Sequence, residues 1–336
     1  MNIAVCFNLA PAVALRGEQQ DRISEVGAAF EAEAVVAALK LLGHTPTLVP
    51  LGAQIAPFVC TLQQLQPELV FNLCEGYWGQ SNRELHVAAL LELLGLTHTG
   101  SPPLTLGLTQ NKALTKDLLA QHKLPTPDYL LIEPGAALPQ QLKLSWPLIV
   151  KPCLEDASIG IGAESVVRDT HVLRSRVAYI HAQYRQGALV EEFIAGREFN
   201  AAVIGDCFLE ALPISEICFQ PGLECQIVSY AGKWLEDSAA YIATEPVCPA
   251  PISPEEEEII HAVALRACRL LGCRDYARVD IRMRAGIPYI LEVNANPDIS
   301  PGAGFARAAH AAGMDYPALV SRILELSLTR LENTDA

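Results

Sequence analysis

Three side chains near the end of the chain could bind a divalent cation. Asp280 lies in the run RVDIRM, and Glu292 and Asn294 lie in the following run PYILEVN. The alternating first run, the Ala-Gly step at 285–286 and the apolar second run predict a β-hairpin. Because residues two apart in a strand share a face, three oxygen donors are expected to converge on one patch. Such ligands suit Mg²⁺, or Mn²⁺, with substrate phosphates completing the coordination.

The same residues allow a simpler interpretation, in which both carboxylates are solvent-facing charges paired with arginines of the first strand. The spacing by itself does not decide between the two interpretations. The run ANPDISPGAG follows the second strand. Its prolines and glycines predict a stiffened loop at a strand end, where functional residues are concentrated, and this favours the cation site.

Two lysines and a loop of small residues could bind phosphate. Lys112 lies in the first turn of a predicted helix, where a cation opposes the helix dipole, so a purely structural role is disfavoured. Lys151 ends an apolar strand and precedes the run CLEDASIGIGAESVV, which contains Ser158 and Gly160. Backbone N–H groups of such a loop can contact phosphate oxygens. The loop matches neither GxxxxGK[ST] nor GxGxxG, so an ordinary hairpin turn remains the alternative.

The run ALVEEFI could hold a purine ring. Its strand ends in Glu191 and Glu192, next to Phe193 and Ile194, so a polar edge lies beside an apolar wall. The next predicted strand carries Glu198. We therefore expect a nucleotide to lie along the edge of these two strands.

The elements that position these residues begin with a parallel sheet. Residues 1–100 alternate strands and helices, which predicts a sheet covered by helices. The third strand ends in NLCEGYWGQSNRE, at the side of the sheet where open α/β folds bind ligands. Glu75 in this turn could contact a substrate, although the residue types alone favour a solvated turn. Further along, residues 219–250 lack a regular pattern and predict a functional loop that closes over a site.

Composition limits the classes of function. A chain of 336 residues with 51% hydrophobic residues predicts two or three domains. The net charge of -14 argues against a nucleic-acid or anionic-membrane partner. The 10 cysteines include no CxxC pair, which favours reduced core cysteines over a zinc site or a disulfide framework. With neither a signal peptide nor a membrane-spanning stretch in the pattern, we predict a cytoplasmic protein.

The order of these motifs resembles the ATP-grasp superfamily, and in particular the enzymes similar to D-alanine–D-alanine ligase. The two lysines, the small-residue loop, the ALVEEFI strand, Glu198 and the E-V-N strand follow one another in the family's order. The run from VFNLCEG to LGLTHTGS also looks like the family's first domain. The resemblance implies an ATP-grasp fold with an N-terminal parallel-sheet α/β domain. It places that substrate domain at residues 1–100, a central subdomain at 101–190, and a C-terminal subdomain with the metal and acceptor site at 191–330.

The resemblance implies a role for each part of the site. Arg278 would stabilise an oxyanion, Lys233 would match a loop lysine that approaches the terminal phosphate, and Gly302 would complete the catalytic set. The segment matching ALVEEFI binds adenine in the family, and the residue matching Glu198 binds ribose. The positions implied to bind ATP are Lys112, Lys151, Ser158, Gly160, Glu191, Glu192, Phe193, Ile194, Glu198 and Leu291.

The implied reaction joins a carboxylate to an amine at the expense of ATP, through an acyl phosphate. The implied partners are small-molecule substrates, with no nucleic acid and no membrane, and a homodimer is allowed. Two alternatives stay open beside a ligase with its own substrates. One is a true D-alanine–D-alanine ligase, and the other is a catalytically silent nucleotide-binding regulatory protein. A kinase that stops at the phosphorylated intermediate is also compatible with the residues.

Departures from the family concern the acceptor site. Asp298 and Ala303 fall where D-alanine–D-alanine ligases carry a glycine and a serine that receive the reacting oxygen and the second carboxylate. Ala157 and Trp234 fall on a serine and on the tyrosine that partners it. We therefore expect a different amino acid, peptide or carboxylate, unless the loop takes another path or Asp298 turns away to pair with Arg307. The positions implied to contact the substrate are Glu75, Asp298, Ser300, Arg307 and Trp234.

Overall fold

The computed structural model describes residues 1–223 and 225–334, with the backbone alone described at 22, 24, 25 and 331–334. The strands are β1 Asn2–Asn8, β2 Thr45–Leu51, β3 Leu69–Leu73, β4 Tyr129–Ile132, β5 Leu148–Pro152, β6 Val166–Val167, β7 Ala188–Glu192, β8 Arg197–Gly205, β9 Leu209–Ala211, β10 Ser215–Phe219, β11 Thr244–Val247, β12 Asp275–Arg284 and β13 Ile287–Asn294. The helices are α1 Arg22–Leu41, α2 Ile55–Leu65, α3 Glu84–Leu93, α4 Pro103–Gln110, α5 Lys112–Gln121, α6 Thr170–Tyr184, α7 Tyr230–Trp234, α8 Ala239–Ile242, α9 Pro254–Leu271, α10 Gly304–Ala311 and α11 Tyr316–Thr334.

The first sheet is parallel, in the order β2-β1-β3. Strands β1 and β3 are mostly apolar and buried because helices cover the sheet, which is the pattern expected of a parallel α/β layer. The predicted α/β architecture is therefore confirmed. Glu75 lies in the loop that follows β3.

The other two sheets are antiparallel and carry the predicted nucleotide and cation residues. One has the order β4-β7-β5-β6, and the other has the order β11-β10-β8-β12-β13 with β9 beside β8. The β12–β13 hairpin forms as predicted, because Ala285 and Gly286 both adopt a positive φ, of 51° and 76°. Such angles at both central residues make the tight turn whose twist matches the flanking strands.

Some elements differ from the sequence pattern. The proline-rich run at 101–103 predicts a hinge, but Pro103 begins α4, since proline is well suited to the first helical position. The stretch 219–250 contains two short helices and β11, with Ser229 and Ser238 capping α7 and α8 through their side chains. The amphipathic pattern predicts a C-terminal helix that ends at Leu328, but α11 extends to Thr334. All ten cysteines are free, but Cys60 and Cys207 are exposed instead of lying in the core.

The two ends of the chain share one hydrophobic core. Ile3 and Phe71 of the first sheet belong to the same buried cluster as Tyr276, Phe305 and Ile323. The C-terminal helices therefore hold the first sheet against β12, which carries the cation residues. Among the described residues, no helix combines the length and the apolar character needed to cross a membrane.

A buried carboxylate joins three chain segments at this junction. Asp275 is fully buried and accepts hydrogen bonds from the Gly100 N–H at 2.7 Å and the Ser327 hydroxyl at 2.9 Å. Arg330 donates to both of its oxygens, at 2.8 Å to Oδ2. The positive φ of 63° at Asp275 is a conformation that aspartate and asparagine tolerate better than most residues.

We predict that Asp275→Asn lowers the free energy of unfolding by about 3 kcal/mol, because it removes one partner of a buried ion pair and leaves the backbone conformation tolerated. Urea denaturation would measure the change. Asp237→Asn, at an exposed aspartate, is the matched control and should shift stability by less than about 0.5 kcal/mol. Equal unfolding midpoints for the two variants would contradict the role of this junction.

Candidate active site

The β12–β13 hairpin brings the three predicted cation ligands together. Asp280 lies opposite Glu292 in the strand register. The amide nitrogen of Asn294 lies 3.3 Å from Asp280 Oδ2 and 3.4 Å from Glu292 Oε1. The register shifts directly after Asp280, and such bulges re-aim side chains near active sites. Three oxygen-bearing side chains therefore converge on one patch.

Asp280 is also held by neighbouring donors. Arg278 donates to both of its oxygens, at 2.7 and 2.8 Å, and Asn200 donates to Oδ1 at 2.7 Å. The pairing with an arginine, which the residues alone left open, is thus present beside the converging oxygens. No group of three His, Cys, Asp or Glu side chains suited to a metal occurs in the described part of the chain. A cation at this patch would depend on two carboxylates, an amide and oxygens of a bound ligand.

Lys112 faces the same patch from the start of α5. Its ammonium group lies 3.5 Å from Glu292 Oε2 and 2.9 Å from Asp156 Oδ1, and it also donates to the Glu155 carbonyl. Burial would raise the pKa of Glu292, but Lys112, Lys151 and Arg278 outweigh it and hold that pKa well below its usual range. Glu292 is therefore ionised and available to a cation at neutral pH.

Lys151 forms the second cationic position. Its ammonium group lies 2.5 Å from Glu191 Oε1, while Lys116 lies 2.8 Å from Glu191 Oε2. Burial opposes ionisation of Glu191, but the two lysines outweigh it and lower its pKa. The predicted polar edge is thus already ion-paired at Glu191. Glu192 accepts a hydrogen bond from the Ser145 N–H at 2.8 Å.

The small-residue loop after Lys151 is shaped by unusual backbone angles. Ala157 and Ser158 have φ of 55° and 60°, and in the described structure neither of their N–H groups nor that of Gly160 donates a hydrogen bond. Successive free amides of this kind form an anion-binding concavity. The Trp234 indole donates to the Ala157 carbonyl at 2.9 Å, and the Ser158 hydroxyl donates to the Val228 carbonyl at 2.9 Å. The loop is therefore closed against the segment at 227–234.

A cavity of about 650 Å³ lies between the two antiparallel sheets, within the range of small-molecule sites. Glu198 on its wall accepts from Arg282 at 2.7 and 2.9 Å, and burial raises the Glu198 pKa although Arg282 opposes this. Lys112 and Gly160 do not line it. A Cβ at Gly160 would meet Pro152 at 2.8 Å, so this glycine serves the loop's packing. The predicted residues that do line it are Lys151, Ser158, Glu191, Glu192, Phe193, Ile194, Glu198, Lys233, Trp234, Arg278, Asp280, Leu291, Glu292, Asp298, Gly302 and Arg307.

A second cavity of about 220 Å³ adjoins the first and receives most of the predicted substrate residues. Glu75 lines it, so the turn that the residue types favoured as merely solvated contributes to a cavity wall. Asp298 accepts from the Ser300 N–H at 2.8 Å and from its hydroxyl at 2.5 Å. Arg307 donates to the Gly302 carbonyl, and no ion pair joins it to Asp298. The alternative in which Asp298 pairs with Arg307 is therefore not seen in the described structure, because Asp298 is held by Ser300 and Arg307 by Gly302.

Comparison with known proteins identifies the family. Residues 118–325 match the family model described as the D-ala D-ala ligase C-terminus. The chain belongs to the D-alanine–D-alanine ligase family. It is 34% identical to the D-alanine–D-alanine ligase of Desulforudis audaxviator, over 88% of this chain and 92% of the relative. It is 36% identical to the uncharacterised protein y4sG of Sinorhizobium fredii, over 89% of this chain and 88% of that protein.

A solved structure shows the same fold. The D-alanine–D-alanine ligase of Bacillus anthracis complexed with ATP superposes with a TM-score of 0.78, at 23% identity and with both chains fully covered. The ATP-grasp architecture with an N-terminal parallel sheet is therefore confirmed. As a member of this ligase family, the chain is an ATP-dependent ligase that forms C–N bonds.

Sequence reasoning missed several residues that shape the site. Lys116 is 1% exposed, and burial lowers its pKa to about 8 although Glu191 opposes this. Its spacing of four from Lys112 on one helix could have revealed a shared face. Glu155 is also buried and binds Arg16 and Gln186, which ties the first sheet's loops to the phosphate side. No local pattern marks that long-range pairing.

We predict that Lys116→Met raises the KM for ATP about tenfold, equivalent to about 1.4 kcal/mol. In this variant, Glu191 would have no cationic partner once Lys151 turns toward a phosphate, and its buried carboxylate would be left unpaired. Steady-state kinetics at varied ATP would measure this. The control is Lys143→Met at an exposed lysine, which should leave KM unchanged. Equal KM values in both variants would contradict the role of Lys116.

Proposed function

We propose that the chain joins a carboxylate to an amine through an acyl phosphate, using Mg²⁺ at the Asp280 patch and substrates other than two D-alanines. The observation that carries this proposal is the meeting of opposite charges at the joined cavities. Lys151 lines the first cavity from β5, and Asp280 and Glu292 line it from the β12–β13 hairpin. Lys112 lies behind this wall, 3.5 Å from Glu292 Oε2. Phosphoryl transfer depends on such positioning and charge neutralisation more than on covalent chemistry by the protein.

The proposed reaction has two steps. A substrate carboxylate oxygen bonds to the γ-phosphorus of ATP while the bond to the bridging oxygen breaks, which releases ADP. The amine nitrogen then bonds to the acyl carbon, the acyl–phosphate bond breaks with release of inorganic phosphate, and the amine loses a proton. The free N–H groups of Ala157 and Ser158, which line the cavity, are suited to hold phosphate oxygens during the first step.

The donor set fits a hard divalent cation. Glu292 is held ionised by nearby cations, Asp280 lies opposite it, and rotation of the Asn294 amide would present its oxygen to the same point. Mg²⁺ held there would neutralise negative charge on the phosphate oxygens. The β12–β13 hairpin positions the side-chain oxygens of Asp280, Glu292 and Asn294 near Lys112 and at the end of the cavity.

Arg278 is proposed to bind the reacting acyl oxygen. Two of its five N–H donors go to Asp280, so three remain for a ligand. Burial disfavours its charge, but Asp280 outweighs burial and raises its pKa further, so it stays a cation. Lys233 lines both cavities and lies 5.1 Å from the Trp234 ring centre, where it can approach the terminal phosphate.

We predict that Asp280→Asn and Glu292→Gln each lower kcat about a hundredfold or more, because a lost electrostatic contact at the developing charge costs this much. ADP release at saturating Mg²⁺ would measure the loss, with circular dichroism to show that both variants fold. The control is Asp237→Asn, an exposed aspartate. Wild-type rates for both carboxylate variants at saturating Mg²⁺ would refute the proposed metal site.

We predict that D-alanine as sole amino acid is a poor substrate. Asp298 lines both cavities, and its carboxylate at about 4 Å from a substrate carboxylate would cost about 4 kcal/mol at an effective dielectric of 20. Coupled ADP release and mass detection would compare D-alanine with other D- and L-amino acids, singly and in pairs. Synthesis of D-alanyl-D-alanine as fast as the best other product would show instead that D-alanine specificity is retained.

A further inference from the structure

The second cavity continues the first toward the N-terminal sheet. The two share Ala157, Lys233, Trp234, Arg278 and Asp298, so a molecule in the smaller cavity can reach the phosphate-transfer region. In a ligase that needs an organic substrate beside the nucleotide, this space has the position of the substrate pocket. The shape and the location of the second cavity therefore mark it as a substrate pocket, independently of the charge of its walls.

Carboxylates from five different segments line this pocket. Their side chains come from α1, the β3–α3 loop, α3, the loop after β5 and the loop after β13. They are Glu31, Glu75, Glu84, Asp156 and Asp298. The lining cations are Lys233 and Arg278, and Arg278 is already paired with Asp280.

The hydrogen-bond partners of these carboxylates do not neutralise their charge. Glu31 accepts from the Ile299 N–H at 2.8 Å, and Glu84 accepts from the Asn296 amide at 2.9 Å. Asp156 has Lys112 as a partner, but Glu31, Glu75, Glu84 and Asp298 form no ion pair with any residue that the structure describes. The carboxylate of Glu75 also forms no hydrogen bond in the described structure and is exposed to the cavity. Four carboxylates of this pocket therefore have no cationic partner within the described part of the chain.

Burial, and after it the neighbouring carboxylates, disfavour the ionised forms of these groups. Burial, with Asp298 and Asp156 adding to it, raises the pKa of Glu75 to about 7, although Lys233 and Arg278 oppose the rise. Burial and neighbouring carboxylates also raise the pKa values of Glu31 and Glu84 well above their usual range. A cation between these groups would relieve the repulsion, and a neutral group would not.

We propose that one substrate carries a cationic group in addition to its reacting groups, and that this ammonium or guanidinium group binds between Glu31, Glu75 and Asp298. An amino acid or short peptide with a basic side chain has this chemistry. The inference rests on the proposed ligase function and narrows its substrate class. Glu75 is the specificity-determining residue, because its carboxylate faces the cavity with no partner of its own.

The test compares amino acids that differ only in charge. Ornithine is paired with norleucine and 2,4-diaminobutyrate with norvaline, as D and L forms, alone and with alanine or glycine as co-substrate. Amine-dependent ADP release should give a kcat/KM at least about tenfold higher for the cationic member, since one ion contact in a partly buried site supplies this much. Equal or better use of the neutral members would overturn the inference and leave the ligase function standing.

Substitutions in the second cavity test whether its carboxylates cause the preference for cationic amino acids. Glu75→Gln and Asp298→Asn should each reduce the cationic preference about tenfold through KM, while Glu258→Gln, at an exposed glutamate of α9, should keep it. Because a bound cation favours the ionised form of Glu75, affinity for ornithine should rise as pH rises through about 7, and affinity for norleucine should not. An unchanged preference in both pocket variants would overturn the assignment to these carboxylates.

A binding measurement separates failure of the inference from failure of the ligase function. Calorimetry with a non-hydrolysable ATP analogue would titrate ornithine and norleucine into wild-type protein. If no amino acid accelerates ADP release, the ligase proposal fails, yet tighter binding of ornithine would still support a cation pocket. If norleucine binds as tightly as ornithine, the pocket does not select charge and the inference fails.

Discussion

The site depends on keeping buried lysines charged. Lys112, Lys116 and Lys151 are almost fully buried, and burial alone would favour their neutral forms. Glu292 and Glu191 oppose this by lying within ion-pair distance of them. Each cation therefore needs a carboxylate from another part of the chain, and the nucleotide side of the site can form only when α5, β5, β7 and β13 come together.

Because of this requirement, ion pairs and hydrogen bonds hold the loops around the cavities to other segments of the chain. Glu155 precedes Asp156, a partner of Lys112, and it also binds Arg16 from the first sheet's loop. Trp234 and Ser158 close the small-residue loop against the segment at 227–234. Movement of one loop would disturb the partners of a buried charge, so the positions of these loops and of the first sheet depend on one another.

Much of the architecture was predictable because its signals are local. The start of α6 follows from its N-cap Asp169, and the bounds of α9 follow from its N-cap Ser253 and its C-cap Gly272. The β12–β13 turn follows from Ala285 and Gly286. The short helices α7 and α8 were missed because five and four residues carry too little periodicity to be seen, and serine side chains define their starts. The start of α4 was missed because the adjacent prolines 102 and 103 are typical of a hinge as well as of a first helical turn.

The sequence by itself determined the family and the fold class and predicted most of the residues that line the first cavity, since motif order and strand periodicity are properties of the linear chain. Only the tertiary structure decided the partners of those residues. In the structure Lys116 pairs with Glu191, and Asp298 accepts a hydrogen bond from Ser300. Glu75 lines a cavity wall instead of lying in a solvated turn. The physical reason is that the charge of a pocket is set by segments far apart in the chain, such as Glu31 and Asp298, whose Coulomb interaction depends on distance in space.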